Sequence, residues 1–264
     1  RSLNRDHTVE VVLAAGVYRQ ASPLRFAAAD GGQNGYSVRW VAAEGAHPVI
    51  SGGVPVTGWR LADEKRGIWV ADIPHGADPR QIWVNGRLAN RATVEAPRKA
   101  FVFHDWGLEI VDPSWNFLAD LPDQERLEVE NTGWFTDRHA VVSSIVGTRI
   151  VMQQPGWHDN LVGYDTFASP VSPENARMFL VNSLAFLRKG AEWFADPDQG
   201  KLYYKPRPGE DMTVSEVVLP MLQVLVSISG PSSHPARART LTRLPFHPTR
   251  STATRRCRHQ RSRR

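Results

Sequence analysis

Between residues 8 and 53 no strand-forming run goes far before glycine interrupts it. The segment 8–13 is β-rich and ends in Ala14-Ala15-Gly16. Short runs at 17–18, 23–26, 38–41 and 49–51 follow, separated by Gly31-Gly32, Gly45 and Gly52-Gly53. Brief strands with glycine punctuation and no i, i+3, i+4 apolar period exclude a helical reading and predict an all-β architecture. A stack of coils fits this pattern, because each short strand can pair with its equivalent one coil later. A few coils cannot cover their own ends, so the pattern also demands more coils or a cap.

The rest of the body is β-rich but less regular. Strand candidates lie at 67–73, 81–84, 126–129, 140–146 and 149–152. Asn85-Gly86 is a two-residue hairpin signal and Gly147-Thr148 a turn. A helix is expected over 173–189. Ser172 would be its N-cap, Pro173 its first residue, and Gly190 its left-handed stop. Ala176, Phe179, Leu180, Ser183, Leu184 and Leu187 would share one face, with Arg188 and Lys189 at the negative end of the dipole. Beyond it, Asp196-Pro-Asp-Gln-Gly200 reads as the turn of a hairpin, and 217–219 and 222–228 as buried strand.

Charge divides the chain unevenly. Of 32 basic residues, ten arginines fall within 231–264, where there is no carboxylate, so 22 basic residues face all 27 acidic ones before that point. The body is therefore mildly acidic, and any basic footprint for nucleic acid or an anionic surface belongs to the tail alone. The tail lacks periodicity and holds Pro, Ser, Thr, Arg and His, a composition expected to stay disordered. The single cysteine, Cys257, lies there too, so disulfides and cysteine-rich zinc sites are excluded for the body. No apolar run is long enough to span a membrane, and no secretory signal is visible.

Several strings resemble a known family. Val11-Xaa-Leu-Ala-Ala-Gly-Val-Tyr-Arg19 looks like the opening coil of pectate-lyase-like β-helices. Pro48-Val-Ile-Ser-Gly-Gly53, Val56-Thr-Gly-Trp59, Gly67-Ile-Trp-Val70, Gln81-Ile-Trp-Val-Asn-Gly-Arg87 and Arg91-Ala92 continue the series. Glu174-Asn-Ala176, Gly190-Ala-Glu-Trp193, Asp196, Gly200 through Met212 and Val218-Leu-Pro220 complete it. Over about residues 8–230 the chain is similar to right-handed parallel β-helix proteins of the β-xylosidase and fucosidase type of glycoside hydrolase. The resemblance implies a secreted, extracellular protein with a polysaccharide or oligosaccharide partner and no cofactor. It also implies a mostly β fold in which a β-sandwich-like insert interrupts the opening coils.

The expected organisation is opening β-helix coils over 1–60, the insert over 61–171, and a helix plus β-hairpin over 172–215. A return strand over 216–230 and a disordered arginine-rich tail over 231–264 follow. In the family the acidic catalytic residues are expected on later coils. This chain instead passes into the tail, which looks like translation in a shifted frame; a clean reading frame on sequencing the gene would refute that. The expectation is an incomplete protein without hydrolytic activity of its own.

Glycoside hydrolysis needs two carboxylates flanking one bond. Glu109, Asp112, Asp137, Asp159 and Glu174 are available, but sequence pairs none of them, so the catalytic residues stay unassigned. His104-Asp105-Trp106 and Trp157-His158-Asp159 draw attention, yet chain neighbours on a strand face opposite ways, and no metal site is assigned. Sugar contact is expected at Trp106, Trp115, Trp157 and Asp159, since aromatic faces supply apolar area with defined geometry. Trp40, Trp59, Trp69, Trp83, Trp134 and Trp193 are expected in the core. Gly31-Gly32 and Gly52-Gly53 match no phosphate loop. Two other classes remain open: a non-catalytic glycan-binding or structural module, and a nucleic-acid or anionic-surface binder acting through non-specific charge on the tail.

Overall fold

The computed structural model describes residues 6–230, 239–242 and 246–247. The fold is mostly β and falls into two compact units, one made of 1–56, 79–88 and 216–264, the other of 57–78 and 89–215. The segment 79–88, which the sequence reading put inside the insert, thus belongs with the first unit.

In the first unit the short strands do pair one layer on another. Val9–Leu13 lies parallel to Val38–Ala42, with Val11 beside Trp40 and Leu13 beside Ala42. On its other side Val38–Ala42 pairs in parallel with Arg239–Thr242. Gly16–Arg19, Pro48–Ser51 and Phe246–His247 repeat the arrangement, and Leu24–Phe26 pairs in parallel with Val226–Ile228. Leu13, Ile50 and Leu225 form the buried centre, with Val11, Leu24 and Trp40 against it. Within the tail expected to be disordered, 231–264, the described residues Arg239–Thr242 and Phe246–His247 are short strands, and the rest of it lies outside the described residues.

The same unit holds an antiparallel sheet in the order Arg87–Leu88, Trp83–Val84, Val217–Pro220, Gly53–Val56. Asn85 and Gly86 both take positive φ (50° and 71°), which closes the expected two-residue hairpin. Gly53 is required by packing, since a methyl group there would collide with the Val218 side chain. Gly32 is similar, because a methyl would run into the Tyr36 carbonyl. Gly32 and Gly53 thus mark close approaches of the backbone to neighbouring chain.

The second unit is built from two sheets that share one core. A five-stranded sheet runs Asn90–Arg91, Glu192–Asp196, Lys201–Lys205, Ile68–Asp72, Arg60–Asp63. A seven-stranded antiparallel sheet runs Thr93–Ala96, Arg177–Val181, Glu128–Thr132, Asp137–Val146, Arg149–Met152, Gly107–Ile110, Phe101–His104. Ile68 and Phe194 from the first sheet join Leu108, Val129, Val142, Ile150, Met178 and Leu180 from the second in one buried cluster. Among the described residues most sheet pairings are antiparallel, and parallel stacking is concentrated in the first unit.

The helix expected over 173–189 is not formed. Residues 172–176 make one turn, in which the Asn175 and Ala176 amides donate to the Ser172 carbonyl. Arg177–Val181 is then a strand, and Leu184–Phe186 a short 3-10 turn. Met178 and Leu180 face the core while Arg177 and Phe179 do not, so a period of two prevails where a period of 3.6 also fitted. Two neighbouring strands, Thr93–Ala96 and Glu128–Thr132, both hydrogen-bond to this segment, and such tertiary pairing outweighs local propensity. The later residues of the expected helix are used otherwise. Asp123 accepts from the Ser183 hydroxyl at 2.9 Å and the Leu184 amide at 3.0 Å, while Glu192 accepts from the Arg188 and Lys189 amides. Ala191, rather than Gly190, carries the positive φ (71°).

Candidate functional site

Side chains alternate along a strand, so the residues between core positions of the seven-stranded sheet emerge together on its other face. There the register aligns Glu95, Phe179, Glu130 and His139 in one row across four strands. Arg177 and Asp137 lie one step along, Glu128 and Val141 one step the other way. The cations on this face are largely committed. Arg91 grips Glu128 through two bonds of 3.0 and 2.6 Å. Arg177 pairs with Glu95 and lies over the Phe179 ring at 5.1 Å, and the Arg177 bond holds the Glu95 carboxyl below its usual range.

Glu130 and Asp137 are left with His139 between them. The imidazole Nε2 is 3.3 Å from Asp137 and Nδ1 is 3.9 Å from Glu130. Partial burial pushes the Glu130 carboxyl above its ordinary range, and Asp137 and Glu128 add to this against the pull of His139 and Arg91. The ligand atoms of Glu130, Asp137 and His139 all lie within 4.8 Å of one another, a spacing at which they could share a divalent ion.

The turn joining the two strands of this cluster is held by Asp165. Its carboxylate accepts from the Thr136 hydroxyl at 2.7 Å and the Val171 amide at 2.9 Å, and also from the Trp134 and Phe135 amides. These bonds, the Val171 amide foremost, keep its carboxyl low. Gly133 has no room for a side chain, because a Cβ would strike Asp165. Arg138 points to the opposite face from His139 and donates to the Asp165 and Tyr164 carbonyls at 2.8 and 3.0 Å. On this scaffold Trp134, Phe135 and Tyr164 are 71%, 67% and 66% exposed. Phe135 and Tyr164 stack at 5.6 Å. Trp134 was expected in the core; it sits instead on the outside of the turn.

The residues singled out from sequence are scattered around this unit. Trp157 is fully buried, stacked near Phe103 and Phe167, with its indole N–H donating to the His104 carbonyl at 2.9 Å. It has no face to offer a ligand, which corrects its assignment to sugar contact. Trp115 is half-buried between Phe101 and Phe117. Trp106 is half-buried, stacked on His104 at 4.6 Å with the Arg149 guanidinium 4.2 Å from its ring. Glu109 meets His104 at 3.2 Å. Asp159 is exposed on the short helix Gly156–Leu161. Asp112 caps a 3-10 turn by accepting from the Ser114 amide at 3.0 Å, and Glu174 accepts from the Ser172 hydroxyl. Of the five candidate carboxylates, only Asp137 stands beside a second carboxylate in the clusters described here, and that partner, Glu130, was not foreseen. The signal was present in the alternation of Glu128 and Glu130 about Val129.

A polar cleft of about 390 Å³ lies elsewhere in the second unit, lined by Asp123, Glu125, Arg126, Ser144, Asp196 and Asp198 among others, none of them aromatic. Asp123 is occupied as described. Asp196 accepts from the Gln199 amide, and Arg126 donates to Asp78 at 2.7 Å. The cleft therefore reads as turn architecture.

No family model matches the chain, and no curated protein matches it. Among solved structures it is similar to one named "Glycoside hydrolase", with a TM-score of 0.78 and 22% identity over 92% of this chain and 43% of that one. The chain thus spans less than half of that protein's length. A second, "The complex structure of XylC with xylose", aligns over 90% of this chain and 31% of that one, at a TM-score of 0.37 and 13% identity. Among the described residues no helix is long and apolar enough to cross a membrane.

Proposed function

We propose that the chain is part of a carbohydrate-active protein built on a right-handed parallel β-helix, and that alone it binds glycan without cleaving it. The observation that carries the reading is the parallel layer Val9–Leu13, Val38–Ala42, Arg239–Thr242. It begins a stack of the kind such a helix continues, in a fold shared with a structure named as a glycoside hydrolase.

The arrangement of the one carboxylate pair in the candidate site supports the absence of cleavage. Hydrolysis requires two carboxyl groups roughly 5–9.5 Å apart on either side of the scissile bond. Glu130 and Asp137 emerge side by side on one open sheet face with an imidazole between them, so they cannot flank a bond from opposite sides. The test is incubation of the purified protein with aryl-xylosides and aryl-fucosides. No turnover above background is expected, and steady release of the aryl group that Glu130→Gln abolishes would refute it.

The same resemblance is the ground for reading the protein as extracellular, which fractionation of a native host would check. The arginines of 248–264 should add retention on an anionic column that falls steeply with salt; deletion of that segment without effect would count against this.

A further inference from the structure

We propose that Trp134, Phe135 and Tyr164 form a sugar-stacking platform, and that the acidic hairpin behind it selects neutral or amine-bearing glycans over uronic acids. This rests on the reading that the chain handles carbohydrate. The first ground is exposure. Three large aromatic side chains stand at least 66% exposed on one turn and its neighbouring loop, with Val162 beside them in sequence at 58%. Such a concentration of apolar surface marks a contact site more often than a bare surface.

The second ground is preorganisation. The backbone beneath the rings is tied to a single carboxylate through the Trp134 and Phe135 amides and the Thr136 hydroxyl. Gly133 donates to the Thr136 carbonyl at 2.8 Å, closing the turn. Arg138 fixes the Tyr164 carbonyl from the adjoining strand. A platform ordered before the ligand arrives loses little entropy on binding. The Phe135 and Tyr164 rings are stacked on one another, inclined by 26°, and an outer face of such a pair offers flat apolar area to the C–H face of a pyranose, as aromatic faces do for other apolar partners.

The third ground is charge. Asp137 is the first residue of the strand leaving the turn, and Glu130 and His139 lie across from one another two positions further in. Arg91 and Arg177 are already matched by Glu128 and Glu95, and Arg138 is spent on carbonyls on the other face. Glu130 and Asp137 therefore leave this hairpin with net negative charge. That charge favours an ammonium group, tolerates a neutral sugar and repels a carboxylate.

The test is retention of the full chain on insoluble xylan (neutral), chitosan (amine-bearing) and cross-linked polygalacturonate (acidic). The variants are Trp134→Ala with Phe135→Ala, Tyr164→Ala, and Glu130→Gln with Asp137→Asn, each checked for a cooperative melting transition well above the assay temperature. The expected result is retention on xylan or chitosan but not on polygalacturonate. The aromatic double variant should lose at least about tenfold in affinity, a loss comparable to removing a stacked ring, and the amide variant should gain on polygalacturonate. If a glycan is bound and the aromatic variants bind it equally well, the platform falls while the carbohydrate reading stands. If none of the three is bound, both fall. If the aromatic variants instead turn an oligomer into a monomer, the rings are a protein interface and the proposal is overturned.

Discussion

Replacing Trp157 separates a core tryptophan from a ligand-binding one. Its ring is fully buried, 5.1 Å from Phe167, and its N–H satisfies the His104 carbonyl. Trp157→Ala removes a large buried side chain, which costs about 3–5 kcal/mol. The upper end is expected, because the carbonyl also loses its donor, and a buried unsatisfied polar group costs about 1–3 kcal/mol. Trp157→Phe keeps most of the ring and removes the indole bond to the same carbonyl, so its cost should fall near that smaller figure. Trp134→Ala, on an exposed turn, should stay within about 0.5 kcal/mol of the parent. Thermal unfolding followed by near-ultraviolet circular dichroism reads all three. At about 2–4 °C per kcal/mol, Trp157→Ala should lower the midpoint by roughly 6–20 °C. A midpoint within about 2 °C of the parent would refute the burial argument, as would a large loss for Trp134→Ala.

Three further expectations follow from charged groups. Arg91→Ala removes both bonds that Arg91 makes to Glu128, whose side chain is 6% exposed; breaking a buried pair costs about 3–5 kcal/mol, and urea unfolding at neutral pH measures it. Glu130 binds its proton more tightly in the folded state, so stability should fall as pH rises through the ordinary glutamate range to the raised native value. Glu130→Gln should flatten that limb of the stability-against-pH curve, and an unchanged curve would count against the assignment. The third concerns Glu210, which burial pushes up but which the Tyr204 hydroxyl at 2.6 Å and Arg207 pull to a net lowered pKa. Its contribution is present above the unfolded pKa and lost as pH falls through the native one. Tyr204→Phe should cost about 1.5–3 kcal/mol at neutral pH and less in acid, where the carboxyl is protonated in both proteins.

The parts legible in the sequence are those written in local chemistry. Asn85-Gly86 and Asp196 through Gly200 closed hairpins because their turns require those residue types. The strand Arg177–Val181 was hidden because Ala176, Phe179, Leu180 and Leu184 satisfy a helical period while Met178 and Leu180 satisfy a strand's; the choice lay with partners far away in sequence. The candidate site was hidden for a related reason. Trp134 is exposed because Asp165 organises its turn, and the two meet only after folding. Glu130 acquires its neighbour through a hairpin whose register the sequence does not state.

Val38–Ala42 receives one partner from just upstream and the other, Arg239–Thr242, from near the far end of the chain. During synthesis or refolding its second edge therefore stays open until almost every other strand has been made. Pairing across so long a separation is slow, and an unpaired strand edge is a template for other chains. The window for self-association is set by this late arrival, so slowing synthesis upstream of residue 239 should lower soluble yield even though the finished surface is unchanged.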